Sequence, residues 1–294
     1  MKKKNNNFLK KIIILLDKYI FFSLIKTIYL HLKSFFISSG MTFNGWGMIT
    51  YTNLPWQDTK NQESVEFEKI NKKLIMLVKK KEFVLSQILK EEKNQKKKIK
   101  HVLQTLDELK WRHYIVYISV LLAIKISKKK INLVECGVCD GLTIFYALNA
   151  FKKKRNFSVF LYDSWKEMKK KFLKDSELHH LGDYGYLSLK NTKKNLKRFD
   201  KNLIYNVGYI PNIFNRHVYP KNLSWLHIDL NASKPTIDVL NFFYKKINSN
   251  GVILFDDYNH LSYEPTKIAI DNFFKNKKGQ FINFPTGQSI FIKI

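Results

Sequence analysis

The chain has 294 residues, of which 45% are hydrophobic and 26% are charged, the proportions of an ordinary globular protein. These proportions exclude a collagen-like or wholly disordered chain, and the length is sufficient for a large hydrophobic core. Lysine and arginine together number 52 against 24 acidic residues, which gives a formal net charge of +28. The two cysteines, Cys136 and Cys139, are too few for a disulfide framework, so we expect a reducing, cytoplasmic location.

Lysine carries almost all of the positive charge, because the chain has only four arginines: Arg112, Arg155, Arg198 and Arg216. Arginine makes the bidentate contacts that read nucleic-acid bases, whereas lysine acts mostly as a hydrated point charge. The composition therefore argues against nucleic acid as a partner. Two interpretations of the lysine excess remain open: a general lysine-rich composition, or attraction to an anionic surface such as a membrane.

Residues 1–38 combine many apolar positions with eight lysines and one acidic residue, Asp17. Charges interrupt the apolar run before it reaches the ~18 consecutive apolar residues of a membrane-spanning helix. No small-residue cleavage site follows, which argues against a signal peptide. The segment is predicted to be a basic apolar helix that either lies at an anionic membrane face or packs on another domain or subunit. The first case would place the protein peripherally at the inner face of the membrane, and the second is compatible with a homo-oligomer.

Residues 39–110 are predicted to form a lid and helical region. The glycine-containing loop around Trp46 and Trp56 either joins the core or covers the acceptor site. Residues 64–110 have a helical pattern, with a solvated face or a break at 90–100. The largely apolar helix that follows, residues 111–127, is expected to dock on a sheet.

From residue 131 onward, apolar runs alternate with helical segments. Helices are predicted at 141–151, 236–247 and 264–276. Strands are predicted at 131–136, 157–163, 202–208, 224–230 and 252–258, with a closing hairpin formed by FINF and SIFIKI. This alternation predicts an α/β fold with a mostly parallel sheet, helices on both faces and an antiparallel strand at or near one edge.

Acidic residues cap four of the five predicted parallel strands, at Glu135, Asp163, Asp229 and the Asp256-Asp257 pair. Open parallel sheets bind ligands at the carboxyl ends of their strands. Carboxylates are costly to cluster there without a cation or a hydroxyl-rich ligand. The first strand runs into an E-x-G-x-x-x-G turn that has neither dinucleotide-binding nor P-loop spacing. The turn suits a nucleoside with an amino-acid tail better than a pyrophosphate.

The order of these motifs resembles the macrocin-type sugar O-methyltransferases, a group of class I S-adenosylmethionine-dependent methyltransferases. The resemblance covers roughly residues 108–294 and is strongest over WLHIDL through VILFDDY, residues 225–258. VECGVCDG, YDSWKEM, GYIPNIF and PTGQSIFIK match further segments of the family. The resemblance implies a Rossmann-like methyltransferase domain over residues 111–294, with S-adenosylmethionine as cofactor. It also implies methyl transfer to a hydroxyl group, most of all on a small sugar or a glycan.

The same resemblance implies roles for four residues in cofactor binding. Glu135, Gly137 and Gly141 would surround the methionine tail of S-adenosylmethionine, and Asp163 would hold the ribose. Glycine in the turn would allow the backbone to approach the ligand closely.

The resemblance also implies a divalent ion, usually magnesium, held by the acidic residues Asp229, Asp256 and Asp257. Such an ion would orient two neighbouring acceptor hydroxyls and lower the pKa of the one that attacks. The chain departs from the family at Asn231, where the family has an aspartate that is its suspected general base. Asparagine cannot take a proton, so Asp229 and His260 are the catalytic candidates here.

Two alternatives from other functional classes remain open. The loop that begins at Asp229 lacks the N/D/S-P-P-Y/F sequence typical of base amino-methylation, but ribose methylation of RNA is not excluded. The change at Asn231 also motivates a non-catalytic, membrane-associated member of the fold. His227, inside a predicted buried strand, is interpreted as a hydrogen-bonded core histidine.

Overall fold

The computed structural model describes residues 62–86, 95–127, 130–151, 156–215 and 218–294. The basic segment 1–38 and the loop with Trp46 and Trp56 lie outside these ranges, so their predicted roles stay predictions. Within the described ranges, no helix is both long enough and apolar enough to cross a membrane.

Three helices precede the sheet: α1 (Gln62–Lys79), α2 (Gln95–Glu108) and α3 (Lys110–Ile126). In α1, the buried residues Phe67, Ile70, Leu74 and Val78 recur at the three- and four-residue spacing of one helix face. The third helix is mostly apolar and packs against the two strands of residues Leu223–Ile228 and Ile247–Phe255. This confirms the predicted docking of residues 111–127 on the sheet.

The remainder alternates strands with helices. The helices are α4 (Leu142–Asn149), α5 (Leu189–Leu196), α6 (Ser233–Phe243) and α7 (Glu264–Phe274). The strands are β1 (Ile131–Cys136), β2 (Phe157–Asp163), β3 (Leu203–Val207), β4 (Leu223–Ile228), β5 (Ile247–Phe255), β6 (Gly279–Asn283) and β7 (Ser289–Lys293).

In the described part of the chain these seven strands form one sheet in the order β3-β2-β1-β4-β5-β7-β6. The first five are parallel, and β7 runs antiparallel to both β5 and β6. The predicted mostly parallel sheet with a closing antiparallel hairpin is therefore confirmed.

The observed bounds differ most around α6 and β5. The helix begins at Ser233 rather than 236 because Pro235 falls in its first turn, where a missing N–H costs no helical hydrogen bond. The strand begins at Ile247, which pairs with Leu223 before a register shift. The sequence predicted a start at residue 252 because the residues just after Ile247 are polar.

Alternating side chains along the strands fill two hydrophobic clusters, one on each face of the sheet. Leu133 and Trp225 belong to the cluster that contains residues of α1, α3 and α4. Their chain neighbours Val134 and Leu226 belong to the cluster that contains residues of α6 and α7. The two-residue period of a strand thus places helices on both faces, as the sequence predicted.

Hydrogen bonds continue one residue beyond the strands at the carboxyl edge. The N–H of Gly137 donates to the carbonyl of Tyr162 at 2.9 Å, and the N–H of Asp229 donates to Cys136 at 2.9 Å. The N–H of Asp256 donates to the carbonyl of Ile228 at 3.1 Å. These bonds align the first residues after β1, β4 and β5 side by side.

Candidate active site

A cavity of about 440 Å³ opens at the carboxyl edge of the sheet. Its volume falls within the range of small-molecule binding sites. Its lining includes residues that end or follow each of the five parallel strands, among them Gly137, Asp163, Gly208, Asp229 and Asp256. The location agrees with the sequence expectation for an open parallel sheet.

The turn after β1 depends on glycine at two positions. Gly137 has a φ of +88°, and a Cβ atom on it would lie 1.7 Å from the carbonyl oxygen of Asp229. Gly141, with a φ of +80°, packs on Leu196, whose Cδ1 would lie 2.9 Å from such an atom. Gly137 lines the described cavity, whereas Gly141 is not among its lining residues and serves the turn into α4.

Asp163 joins the turns that follow β1 and β2. Its Oδ2 accepts hydrogen bonds from the N–H groups of Val138 and Cys139 at 2.8 and 2.9 Å, and its Oδ1 accepts from Trp165 at 2.7 Å. Burial raises the pKa of the carboxyl, although these three donors oppose the shift. Asp163 also lines the cavity, where a carboxylate can accept a hydrogen bond from a ligand hydroxyl.

Glu135 and His227 form a fully buried pair beneath the site. They are register partners on β1 and β4, and Nδ1 of His227 lies 3.1 Å from Oε1 of Glu135. Burial lowers the pKa of His227, but the neighbouring carboxylates Asp256 and Glu135 outweigh it and raise that pKa to about 10. Burial raises the pKa of Glu135 to about 7.

This pairing bears on two expectations from the sequence. His227 is a hydrogen-bonded core histidine, as predicted. Glu135 is not among the residues that line the described cavity, so in this arrangement it supports the site from below rather than from its surface.

Arg112 reaches from α3 to the carboxylates that follow β5. Its Nη2 donates to Oδ2 of Asp256 and lies 3.2 Å from Oδ1 of Asp257. The other oxygen of Asp256 accepts a hydrogen bond from Nε2 of Gln288 at 2.8 Å. Burial opposes ionisation of Asp256, but the Arg112 charge and the hydrogen-bond donors hold its pKa well below the usual range.

Asp229 differs from its acidic neighbours in its surroundings. It is half-buried on the cavity wall, and none of the described residues donates a hydrogen bond to its carboxylate. Burial raises its pKa well above the usual value, and the negative charges of Asp256 and Asp257 add to the shift. Asp229 is therefore the carboxyl group of this cluster that is suited to accept a proton.

The predicted magnesium site has to be compared with these contacts. Asp229, Asp256 and Asp257 do converge, and ligand atoms of His227, Asp229 and Asp256 lie within 4.8 Å of one another. However, Arg112 already holds one oxygen of Asp256 and one of Asp257. A divalent ion bound by these two carboxylates would have to displace contacts of Asp256 and would lie close to the guanidinium charge, so the arrangement does not fit the predicted ion.

His260, the other catalytic candidate, lies in the loop after Asp257. Its Nδ1 accepts a hydrogen bond from the N–H of Ser262 at 3.3 Å, and it is not among the described residues that line the cavity. Asn231 lines the cavity with a φ of +52°, and its amide donates to the Tyr184 hydroxyl at 2.9 Å. The residue that departs from the family pattern thus holds a tyrosine of the cavity wall.

The chain before the sheet contributes to the site more than the sequence indicated. The N–H and hydroxyl of Ser86 both donate to the buried Asp140 carboxylate of the glycine turn after β1, each at 2.6 Å. The amide of Asn195 donates to the carbonyls of Val84 and Asp140 at 2.8 Å. Sequence reasoning also missed Arg112 and Gln288. One signal was available for Arg112, a scarce arginine at the start of an apolar helix.

The comparisons with known proteins agree with this architecture. A family model described as a methyltransferase domain matches residues 134–258. The O-methyltransferase NovP shares 18% identity with a TM-score of 0.57 over 79% of this chain and 99% of NovP. CalS11, a calicheamicin methyltransferase, shares 10% identity with a TM-score of 0.50 over 83% of this chain and 98% of CalS11. No curated protein sequence matches the chain significantly.

The structural likenesses, at these low identities, show the fold, and the family model identifies the segment that carries the glycine turn and the three aspartates. CalS11 is also described, in its apo structure, as a TDP-rhamnose 3'-O-methyltransferase. Residues 134–258 of this chain thus match a methyltransferase-domain model, and the fold is similar to those of the O-methyltransferase NovP and the methyltransferase CalS11.

Proposed function

We propose that this protein transfers a methyl group from S-adenosylmethionine to a hydroxyl group of a sugar or glycan, with Asp229 as the proton acceptor. The observation that carries the proposal is the contact between the glycine turn and Asp229. Gly137 lies so close to the Asp229 carbonyl that no side chain fits between them. The cofactor turn and the candidate base therefore share one wall of the cavity.

The chemistry of the lining suits the methyl donor. The cavity wall includes five aspartates, Asp140, Asp163, Asp229, Asp256 and Asp257. Arg112 neutralises Asp256 and Asp257, and negative charge on the remaining three favours a cationic ligand. S-adenosylmethionine carries a sulfonium and an α-amino group. The donor supplies a methyl group that an oxygen nucleophile can take as the carbon–sulfur bond breaks, with the electron pair returning to sulfur.

Asp163 is proposed to hold the ribose through its carboxylate, which lines the cavity. Its three backbone donors fix the carboxylate, so little additional ordering is needed when a ligand hydroxyl binds. The residues next to it on the cavity wall include Ser164 and Tyr209. Gly137 and the neighbouring backbone are proposed to approach the methionine tail.

Asp229 is proposed to take the proton of the attacking hydroxyl. A carboxylate with a raised pKa is a stronger base than an ordinary aspartate, which suits proton removal from an alcohol. Tyr184, held by Asn231, lies on the wall next to Asp229 and can exclude water from the acceptor. No described contact routes the proton to His260.

The acceptor class is proposed from chemistry rather than from the cavity size. Tyrosine hydroxyls, an asparagine amide and lysines on the wall, such as Lys166 and Lys169, offer hydrogen bonds to a hydroxyl-rich ligand. The naming of CalS11 as a TDP-rhamnose 3'-O-methyltransferase supports the same class. The scarcity of arginine argues against an RNA acceptor.

The test uses the full chain with methyl-labelled S-adenosylmethionine and a cell extract that is fractionated afterwards into small sugars, glycan, lipid and nucleic acid. We expect label in the sugar or glycan fraction with the wild-type protein and no label there with the Asp229→Asn protein. Label in nucleic acid would contradict the acceptor class and favour ribose methylation. Cofactor binding in calorimetry without label in any fraction would contradict the proposed activity and favour a non-catalytic protein.

A further inference from the structure

Asp256 and Asp257 are adjacent in the chain, and the side chains of both contact one guanidinium. Nη2 of Arg112 contacts Oδ2 of Asp256, the carbonyl oxygen of Asp256 at 3.4 Å and Oδ1 of Asp257 at 3.2 Å. The Arg112 side chain is 24% exposed and those of Asp256 and Asp257 are 11% and 12% exposed. The contact is therefore mostly withdrawn from water, where an ion pair is screened least.

The rest of the Asp256 carboxylate is also occupied. Oδ1 accepts from the fully buried Gln288, whose own Oε1 accepts from the Thr286 hydroxyl at 3.0 Å. Nε2 of His227 lies 3.7 Å from the same Oδ1, an ion-pair separation beyond hydrogen-bond range. Donors from α3 and from the β6–β7 turn, together with the His227 ring of β4 at ion-pair distance, thus surround Asp256.

A divalent ion would compete directly with these contacts. Magnesium requires oxygen ligands at about 2.0–2.1 Å in near-octahedral geometry. Arg112 and Gln288 occupy both oxygens of Asp256, and Arg112 occupies one of Asp257. With Arg112 in place, an ion at the other oxygen of Asp257 would experience repulsion from the guanidinium at short range. Arginine stays charged at all physiological pH values, so the guanidinium is a permanent local cation.

We propose that Arg112 is the resident cation of this site, holding Asp256 and Asp257 in place of a divalent ion, so that methyl transfer by this protein does not require a divalent metal. The claim that methyl transfer needs no divalent metal rests on the proposed function. The claim that Arg112 is the cation at Asp256 and Asp257 does not. Arg112 acts here as a positioning residue. It neutralises two carboxylates beside Asp229 and fixes their orientation.

For the direct test, metals are first removed from the full chain with EDTA. The protein is then titrated with MnCl₂, and binding is monitored by electron paramagnetic resonance. The wild-type protein is expected to show no saturable one-to-one binding that depends on Asp256. Arg112→Ala is expected to bind Mn²⁺ roughly tenfold more tightly or better, because two carboxylates lose their cation. The gain should disappear in the Arg112→Ala/Asp256→Asn double variant. A loss of structure alone would not produce such a gain.

Saturable Mn²⁺ binding by the wild-type protein that Asp256→Asn abolishes would overturn the inference, as would an Arg112→Ala protein with no gain. Because the wild-type measurement needs no variant at Arg112, misfolding of that variant leaves the test intact. Arg198→Ala is the matched control. Arg198 lies over the Phe199 ring, 4.8 Å from its centroid, and its loss should leave Mn²⁺ affinity unchanged.

The activity arm separates this inference from the proposed function. Label transfer from S-adenosylmethionine to a cell extract is expected to persist in excess EDTA. Transfer that EDTA abolishes and Mg²⁺ restores would overturn the role of Arg112 while leaving the methyltransferase proposal intact. Absence of transfer under both conditions would contradict the proposed function, and the Mn²⁺ titration would still decide the inference.

Discussion

Arg112 and Asp256 are 144 residues apart in the chain and form an ion pair at the carboxyl edge of the sheet. The pair joins the helix before the sheet to the end of its fifth strand. It also determines which acidic residue of the site remains unpaired and able to accept a proton. With Asp256 and Asp257 held by the guanidinium, Asp229 is the carboxylate left facing the cavity without a described hydrogen-bond donor.

Asp229→Asn is expected to lower methyl transfer at least about 100-fold, because the amide has the shape of the carboxyl but cannot accept the proton. Cofactor affinity, measured by calorimetry, should change far less than turnover. The matched control is Asp175→Asn, at an exposed carboxylate, which should retain full activity. Turnover by the Asp229→Asn protein close to that of the wild type would rule out Asp229 as the base.

Gly137→Ala and Gly182→Ala form a matched pair that separates backbone strain from steric conflict. Both glycines have a φ near +87°, but a Cβ on Gly137 would collide with the Asp229 backbone while one on Gly182 would meet nothing within 4 Å. We expect Gly182→Ala to cost about 1 kcal/mol of stability. Gly137→Ala should cost at least about 1–3 kcal/mol more and should weaken cofactor binding.

Thermal unfolding and calorimetry on the two proteins test this prediction. Equal losses of stability would contradict the tight contact between the turn and Asp229. A Gly137→Ala protein that is destabilised yet binds S-adenosylmethionine normally would show that the turn lies outside the donor site.

Asp163→Ala is expected to weaken S-adenosylmethionine binding by ~1.5–3 kcal/mol if the carboxylate binds the ribose. It should also destabilise the protein, because three backbone N–H groups lose their acceptor. Asp163→Asn, which keeps one acceptor oxygen, should be less destabilised and still bind the cofactor weakly. Unchanged affinity in both variants would assign Asp163 to structure alone.

His113 predicts a pH dependence of stability. Burial lowers its pKa from 6.5 to about 3, so below pH 6.5 the unfolded chain binds a proton that the folded protein refuses. The neutral, buried His113 therefore costs no stability above pH 6.5. As the pH falls from 6.5 toward 3, protonation of the unfolded chain lowers the free energy of unfolding. The slope contributed by this one group is at most about 1.4 kcal/mol per pH unit.

His113→Phe should reduce the loss of thermal stability between pH 7 and pH 4, since the variant keeps a ring that can stack on Tyr146, as His113 does at 4.4 Å. The control His101→Phe changes an exposed histidine of α2 and should leave the slope as in the wild type. Parallel pH profiles for the wild type and His113→Phe would show that the buried imidazole does not titrate as expected.

The basic segment 1–38 predicts binding to anionic membranes, although it lies outside the residues that the structure describes. Each lysine near an anionic surface contributes about 1 kcal/mol at most. The full chain should therefore sediment with phosphatidylserine vesicles and much less with neutral ones, in a salt-dependent manner. Removal of residues 1–38 should abolish this, and co-sedimentation without any dependence on vesicle charge would contradict the prediction.

The order of strands and helices could be predicted from the sequence because each depends on local patterns. The run from Ile131 to Cys136 is apolar enough to be a buried strand by itself, and Pro285 with Gly287 marks the closing hairpin. Acidic residues at strand ends predicted the edge that holds the cavity, since the carboxyl ends of parallel strands meet at one edge.

The partners of these acidic residues were decided by the tertiary structure. No local pattern connects Arg112 to Asp256 or Ser86 to Asp140, because each pair is brought together only when helices pack on the sheet. The charge on a cluster of carboxylates is likewise set by which cation comes within a few ångströms of it. The sequence by itself therefore determined the fold and the place of the site, whereas packing determined that an arginine, rather than an open set of oxygen ligands, faces Asp256 and Asp257.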